Sequence, residues 1–296
     1  MLSLPPSEVI IAGLLLGGIY ALAAFGLSLI FGVTKVLNIA HGEFIMLGGL
    51  ATYLLFLKLG LNLLATFIIL SIVALLVGFG FERALIRRIL GKSPHEFLIG
   101  SLLVTLGIAL AIEDLTAFLQ MAFRMPYLLS VTVHLPIPYI GIVGLSPIRF
   151  ASLILIVALT ATLSIFLKKS RVGMAIRAFV QDREGALLTG LDVSRLSMIT
   201  FGIGTFLAVI AGAIYILIFT VEPTLGLPLV LRLLCIVVLG GLGSLVGSLV
   251  GGLIIGLAET ITAFYAGASW SPVTSMLIFI LILLVRPRGL FGYAEA

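Results

Sequence analysis

Polar side chains that could do chemistry are rare in this chain, and three of them stand close together at Asn38, His41 and Glu43. The last two form a His-X-Glu pair, a spacing that could suggest metal ligands. Zinc sites use three or four protein ligands, and the surrounding sequence offers no third one. We therefore predict no metal site here. We expect these groups to cap a broken helix or to line a water-filled vestibule.

Four further charged residues interrupt apolar runs, and polar groups inside a membrane are costly enough to be informative. They are Glu113, Asp114, Arg232 and Glu259. One interpretation is a proton relay in an ion-coupled secondary transporter. The interpretation that we favour is that these residues sit at membrane interfaces or face other helices with satisfied partners. Arg232 could also extend its side chain to the membrane surface.

Motifs of catalysis and of nucleotide binding are absent from the sequence. It contains no nucleophile elbow, P-loop, His-Glu-x-x-His or dinucleotide fingerprint. The glycine-rich run 240–243 is expected inside apolar helices rather than at a strand–helix junction. We predict that the chain is not an enzyme and binds no cofactor, so any ATP must be hydrolysed by another chain. A membrane-embedded lipid-modifying enzyme ranks last, because only His41 and Glu43 could serve it.

The composition identifies the main solvent of the chain. Of its 296 residues, 61% are hydrophobic and 10% are charged, whereas soluble domains carry about 25% charged residues. We predict an all-α polytopic membrane protein forming one domain over residues 1–296. The net charge of +5 is no nucleic-acid footprint, because twelve of the seventeen Lys and Arg residues fall in segments 82–96, 168–196 and 286–288. One cysteine, Cys235, excludes an internal disulfide.

Apolar runs long enough to cross a bilayer set the number of helices, since a transmembrane helix needs about 20 residues. We predict eight or nine transmembrane or re-entrant helices, near 8–32, 38–57, 62–81, 97–119, 148–167, 198–220, 227–245, 246–265 and 272–285. The second run and the 227–265 pair contain clustered glycines and could be broken or re-entrant. The N-terminus lacks a basic region, so the first run is expected to be a retained span.

The basic segments predict the orientation of the chain, because such loops stay in the cytoplasm. The segment 82–96 with Lys92, the loop 168–197 and the tail with Arg286 and Arg288 should share one side. Segment 120–147 contains Pro126, Pro136, Pro138 and Pro147 and is expected to be an extended loop on the other side. Nine crossings would put the N-terminus outside and the C-terminus inside. Eight crossings plus a re-entrant segment remain an alternative.

Small residues at four-residue spacing predict close helix packing. The residues expected to serve it are Gly13, Gly17, Gly240, Gly241, Gly243 and Gly247. The segment Leu47–Thr52 also resembles the segment Leu239–Ser244. Paired glycine-rich segments in the two halves of a transporter suggest an internal repeat.

The loop 168–197 is the longest polar break in the chain and is predicted to be ordered. One helical face carries Ile176, Phe179, Val180 and Leu187, and the other carries Arg177, Gln181, Asp182 and Glu184. Gly190 stands where a helix would end in a left-handed residue. Asp192 stands at the N-cap of the next helix. Such a helix offers a surface to a cytoplasmic partner; the alternative is a loop that only sets topology.

This loop resembles a known family. Glu184 to Gly190 (EGALLTG) is similar to the EAA…G loop of bacterial ABC importer permeases, with Gly185 in place of the first alanine and without the downstream Ile-x-Leu-Pro. Gly17–Leu22, Asn38–Phe44, Arg177–Ala178, Gln181–Glu184 and Leu239–Ser244 resemble the membrane subunits of branched-chain amino acid importers. The resemblance runs nearly the whole length of the chain.

The resemblance implies a subunit that forms the translocation pathway of an ATP-driven importer in a bacterial inner membrane. It implies a heterodimer with a second permease, two cytoplasmic ATP-binding subunits and a periplasmic substrate-binding protein. The residues expected to couple to the ATPase are Arg177, Asp182, Arg183, Glu184, Ala186 and Gly190. Branched-chain amino acids are the first substrate expectation, and urea or short amides are the alternative.

Overall fold

Helices make up almost all of the structure, a computed structural model that describes residues 6–89, 94–133, 146–286 and 289–291. Lys92, Pro136, Pro138 and Arg288, which the sequence analysis used, lie outside this range. The helices are α1 (Ser7–Thr34), α2 (His41–Thr52, continued by a π-helical turn Tyr53–Lys58), α3 (Leu63–Phe81, continued through Glu82–Ile86 and Arg87–Ile89), α4 (Pro94–Ala122), α5 (Pro147–Lys169), α6 (Arg171–Gln181), α7 (Arg183–Leu188), α8 (Val193–Tyr215), α9 (Gly226–Gly240), α10 (Leu245–Ala266) and α11 (Ser271–Val285).

Eight of the described helices are long and apolar enough to cross a membrane: α1, α3, α4, α5, α8, α9, α10 and α11. Their bounds follow the predicted runs closely, as with Pro147–Lys169 against 148–167. The predicted all-α polytopic class is confirmed. Most of α1 and α8 is buried, whereas α3, α4, α5 and α11 expose most of their apolar surface, as helices facing lipid do.

The second predicted run is a broken crossing. Helix α1 ends at Thr34, Lys35 takes a left-handed φ of 58°, and the chain is non-helical until α2 begins at His41. The C-terminal end of α1 lies with α6, because Gly32 packs against Val180. The end of α3 lies beside the start of α8, since Gly78 packs on Phe201. Residues 35–62 must therefore return across the bundle, which gives nine traversals within the residues that the structure describes.

Most of the basic residues of the described chain collect at one end of this bundle. The end of α3, the α5–α6 junction and the residues after α11 all lie there, because Leu290 donates a backbone hydrogen bond to Leu239 at the end of α9. The first residues of α1 lie at the opposite end. That opposite end holds a short antiparallel bridge between Leu129 and Val221, with both N···O distances at 2.8 Å. Helix α4 reaches Ala122, so the predicted extended segment 120–147 begins later than expected.

Glycines allow the central helices to approach closely. In α1, a Cβ added at Gly17 would lie 2.9 Å from the Cα of Leu253 in α10, and one at Gly26 would lie 2.9 Å from the carbonyl oxygen of Gly204 in α8. Gly13 faces Leu257 in the same way. Since no hydrophobic effect drives helices together in lipid, this backbone proximity supplies the packing.

Helix contacts repeat in a two-fold pattern. Helix α1 packs on α10 as α3 packs on α8, and α1 packs on α9 as α2 packs on α8. Helices α1 and α8 contact each other, and so do α2 and α9. The helices α1–α3 and α8–α10 therefore occupy exchanged positions, as an internal repeat requires.

The prediction that the glycine-rich run 240–243 lies inside apolar helices is wrong. Only Gly240 is helical; Gly241 (φ 100°) and Gly243 (φ 82°) form the turn between α9 and α10, where positive φ favours glycine. Gly247, in α10, packs against Gly240 across this turn. The segment Leu47–Thr52 lies inside α2, so the similarity between the two segments does not reflect equivalent positions.

The polar loop 171–188 forms two helices rather than one. Asp182 breaks the predicted helix by adopting an extended conformation, and its carboxylate accepts a hydrogen bond from the backbone N–H of Gly185 at 3.0 Å. Ile176 and Phe179 are buried as predicted, but Leu187 is 47% exposed because the break rotates α7. We call α6 and α7 together the α6–α7 knuckle.

Candidate functional site

Asn38, His41 and Glu43 form a buried polar centre at the break between α1 and α2. All three side chains are fully buried. The Nε2 atom of His41 lies 3.1 Å from the carbonyl oxygen of Ala23 in α1, so this nitrogen carries the proton in that hydrogen bond. The non-helical segment before α2 is held from α4, where Thr105 Oγ1 accepts a hydrogen bond from the backbone N–H of Ile39 at 3.3 Å.

The polar centre lies deep in the bundle. Ala23 is eleven residues before the end of α1 at Thr34, which corresponds to about 16 Å along the helix axis. The hydrocarbon core of a bilayer is about 30 Å thick. The N-terminal end of α2 therefore begins near the middle of the membrane, where charged groups are rare and have functional roles.

The folded chain leaves much of this centre without hydrogen bonds. Both amide atoms of Asn38, Nδ1 of His41 and both carboxylate oxygens of Glu43 are buried and have no hydrogen-bond partner among the described residues. An unsatisfied buried polar group costs about 1–3 kcal/mol, and a charged one costs more. Folding stability gives no reason to keep three such residues here. A polar ligand or water would satisfy them.

The start of α9 meets the start of α2 at this centre. The carboxylate of Glu43 abuts Gly226, the first residue of α9, and Gly42 packs against the carbonyl group of the same glycine. A helix N-terminus favours a negative charge, so the start of α9 is a suitable neighbour for Glu43. Glu113 of α4 lies within electrostatic range of Glu43. Asp114 points away and is exposed.

The expectation that these groups cap a broken helix is wrong for α2. The three side chains do not cap α2 by hydrogen bonds, because its N-cap is Ala40 and no side-chain cap bond is made. No group of three His, Cys, Asp or Glu side chains is placed to hold a metal ion within residues 6–89, 94–133, 146–286 and 289–291.

Arg232 and Glu259 form an ion pair between α9 and α10. Arg232 Nε lies 3.1 Å from Glu259 Oε1, and the Tyr20 hydroxyl donates to Glu259 Oε2 at 3.0 Å. The favoured expectation for Glu259, a satisfied partner on another helix, is what the structure shows. Arg232 pairs inside the bundle rather than extending to the membrane surface. Two opposite charges in adjacent apolar runs were the sequence signal for this pair.

The α6–α7 knuckle carries the residues expected to couple to an ATPase. Arg177, Asp182, Arg183, Glu184 and Gly190 are exposed, whereas Ala186 is buried and packs inward. Ser170 caps α6 and Asp182 caps α7, which makes the knuckle locally rigid. Gly190 has φ 80° as predicted, and Asp192 caps α8 by accepting from the N–H of Arg195 at 3.1 Å.

Sequence reasoning missed the tip of the knuckle. Leu188 is 90% exposed at the end of α7. Leu188 lay outside the predicted apolar face of the helix, and an apolar residue in that position was a signal that could have found it. Together with Leu187, which is 47% exposed, Leu188 forms an apolar patch beside charged side chains, and exposed patches rimmed by polar groups mark interaction sites.

The knuckle also touches the helices that lead to the polar centre. Val180 packs on Gly32 near the end of α1 and on Gly243 in the α9–α10 turn. Helix α1 contacts the polar centre at Ala23, near its middle, and α9 contacts it at its first residue, Gly226. Movement of the knuckle can therefore reach this centre through continuous helices.

The fold and these two sites define a multi-pass α-helical membrane protein of the permease class. Residues 9–286 match the family model described as "Branched-chain amino acid transport system / permease component", and the chain belongs to this family. The members of this family are permease components of transport systems, which are not enzymes.

Several known proteins are similar to this chain. The permease protein LivH of the high-affinity branched-chain amino acid transport system of Salmonella typhimurium is 30% identical, covering 96% of this chain and 94% of that protein. BraD of Pseudomonas aeruginosa is 28% identical, covering 97% and 96%. A solved structure described as PsaBC from Streptococcus pneumoniae in complex with Fab aligns with a TM-score of 0.48 and 14% identity, covering 94% of this chain and 91% of that one.

Proposed function

We propose that this chain is a membrane-spanning permease subunit of an ATP-driven importer for branched-chain amino acids. Family membership supports the transport role. The names of the relatives support the substrate class. Urea or short amides remain the alternative substrates within the same architecture.

The observation that carries the ATP-driven part of the proposal is the exposed, capped α6–α7 knuckle. It presents Arg183, Glu184 and Leu188 to solvent at the basic end of the bundle. It also packs on α1 and on the α9–α10 turn through Val180. A rigid element with an exposed tip and a buried base is suited to transmit motion from a docked motor. This sequence has no nucleotide-binding motif, so other chains would hydrolyse the ATP. The family resemblance implies two such ATP-binding subunits.

The proposed orientation follows from the basic residues at this end of the bundle. Basic loops remain on the cytoplasmic side of a bacterial inner membrane. The knuckle and the C-terminus would therefore be cytoplasmic, and the N-terminus periplasmic. A periplasmic binding protein would deliver substrate at the end that holds the Leu129–Val221 bridge. A second permease would complete the pathway as a heterodimer.

The translocation pathway in this proposal passes the polar centre of Asn38, His41 and Glu43. Their unsatisfied atoms at two meeting helix starts are suited to polar groups of a passing solute. Access would alternate between two conformations with different affinities for ATP and for the binding protein. The ion-coupled alternative is weaker, because Glu259 is already paired with Arg232.

The test replaces Leu188 by serine and measures both uptake and partner binding. We expect uptake of radiolabelled leucine to be lost in cells lacking their own system, together with copurification of the ATPase subunits. Leu59, which is 68% exposed in the linker at the opposite end, provides the matched control when it is replaced by serine. Retained uptake and retained ATPase binding in the Leu188→Ser variant would refute the coupling role.

The energy source needs a separate measurement. Uptake that is blocked by vanadate but insensitive to ionophores supports an ATP-driven importer. The opposite sensitivities would support an ion-coupled transporter and overturn the proposal.

A further inference from the structure

A cavity of about 570 Å³ lies at the basic end of the bundle, outside the polar centre. Side chains of α1, α5, α6 and α10 line it. The residues that define these walls are Phe25, Leu29, Leu167, Ile176, Leu245 and Leu249. The cavity is therefore a cleft between transmembrane helices that is also bordered by α6 of the α6–α7 knuckle.

The walls of this cleft combine an apolar depth with a cationic rim. Lys168, at the end of α5, and Arg177, in α6, are the charged residues of the lining, and no Asp or Glu belongs to it. The guanidinium of Arg177 donates to the carbonyl oxygen of Lys168 at 3.0 Å, and this hydrogen bond holds the two basic residues close together. Both residues are exposed, so they can meet a ligand from the membrane surface.

The cleft opens toward the region that lipid occupies. Val246 of its lining is 58% exposed, and the neighbouring Ile165 on α5 is 55% exposed. Exposed aliphatic side chains on both sides of the opening continue the lipid-facing surface of the bundle. A molecule with acyl chains can enter sideways from the membrane without crossing a polar barrier.

We propose that this cleft binds one anionic phospholipid from the leaflet at the basic end. Its acyl chain lies against Phe25, Leu29 and Leu249, and its phosphate lies between Lys168 and Arg177. Basic pockets between transmembrane helices bind anionic head groups in this way. An apolar helix of a partner subunit would fill the cleft but would leave both cations unmatched, so charge complementarity favours the lipid.

The test compares lipid retention by the full-length chain purified from membranes in mild detergent. Native mass spectrometry counts bound phosphatidylglycerol and bound phosphatidylcholine with matched acyl chains. We expect preferential retention of phosphatidylglycerol. Replacing Lys168 by glutamine should weaken that retention roughly fivefold, because one basic residue near an anionic lipid contributes about 1 kcal/mol. Lys169→Gln is the matched control, since Lys169 is an adjacent exposed cation outside the lining.

A second variant fills the cleft without changing its charge. Leu249→Trp should displace the bound phosphatidylglycerol while Lys168 and Arg177 remain. Equal retention of the two lipids, or equal effects of Lys168→Gln and Lys169→Gln, would overturn the proposal. A cysteine at Val246 that forms a disulfide crosslink with another subunit in native membranes would also overturn it, because the cleft would then be a protein interface. Arg177 is left unchanged because its loss would also affect the proposed coupling.

Discussion

The Arg232 guanidinium lies 3.1 Å from the Glu259 carboxylate inside the helical bundle, and this ion pair joins α9 to α10. The carboxylate side of the pair is 3% exposed and the arginine side is 19% exposed. Tyr20 adds a hydrogen bond from α1. Three central helices are therefore held together by one buried carboxylate, and α9 is also the helix whose start abuts Glu43.

Removing one partner of this pair should destabilise the protein strongly. We expect Glu259→Leu to lower the free energy of unfolding by about 3–5 kcal/mol, because Arg232 would be left buried without its counter-charge. The double variant Arg232→Met with Glu259→Leu should recover most of that loss. Thermal unfolding in detergent measures these two variants and the Arg232→Met single variant. If the double variant were as unstable as the sum of the single changes, the two residues would not act as a pair.

Glu43→Gln should separate stability from transport. The carboxylate has no hydrogen-bond partner in the part of the chain that the structure describes, so removing its charge should leave the melting temperature unchanged or raise it. Uptake should fall roughly tenfold or more, as expected when a charged hydrogen bond to a transported group is lost. Glu8→Gln, an exposed change at the start of α1, serves as the control for both measurements. Normal uptake by the Glu43→Gln variant would remove this residue from the pathway.

Gly42→Ala should disturb the meeting point of the starts of α2 and α9. The added methyl group would collide with the carbonyl group of Gly226, and such overpacking costs about 1–3 kcal/mol. Gly80→Ala in α3 is the matched control, because a Cβ there has nothing within 4 Å. Thermal unfolding should show a lower midpoint for the first variant alone. Equal midpoints would mean that the two helix starts can move apart freely.

Gly190 tests the turn that ends the α6–α7 knuckle. Its φ of 80° is unfavourable for other residues, and an added Cβ has open space around it. Gly190→Val should therefore act through backbone strain and destabilise the turn by about 1–2 kcal/mol. Gly190→Asn should be tolerated, because asparagine accepts the left-handed conformation. Copurification of ATPase subunits compares the variants, and equal loss with valine and asparagine would point to a side-chain clash instead.

Local patterns in the sequence were sufficient for several parts of the fold. Runs of apolar residues located the spans, because the length needed to cross a bilayer does not depend on what surrounds a helix. Gly190 and Asp192 were recognised at the end of α7 and the start of α8, because turn and capping preferences involve only neighbouring residues. Family motifs in the same segments led to the transport class.

Long-range relationships were decided only by the tertiary structure. The Tyr20–Glu259 contact joins residues 239 positions apart, and the Thr105–Ile39 contact joins residues 66 positions apart. Apolar helices give little indication of which face is buried, because lipid and protein interior are similar solvents for them. The break at Asp182 also escaped notice, since the same letters fit one continuous amphipathic helix.

The amino-acid order alone thus determined that the chain spans a membrane many times and carries a structured basic loop. The folded structure decided that the starts of α2 and α9 meet near the middle of the bundle, with Glu43 against Gly226. The physical reason is that hydropathy and capping depend on residues close in the chain. The approach of two glycines or the pairing of two charges depends instead on how distant helices pack.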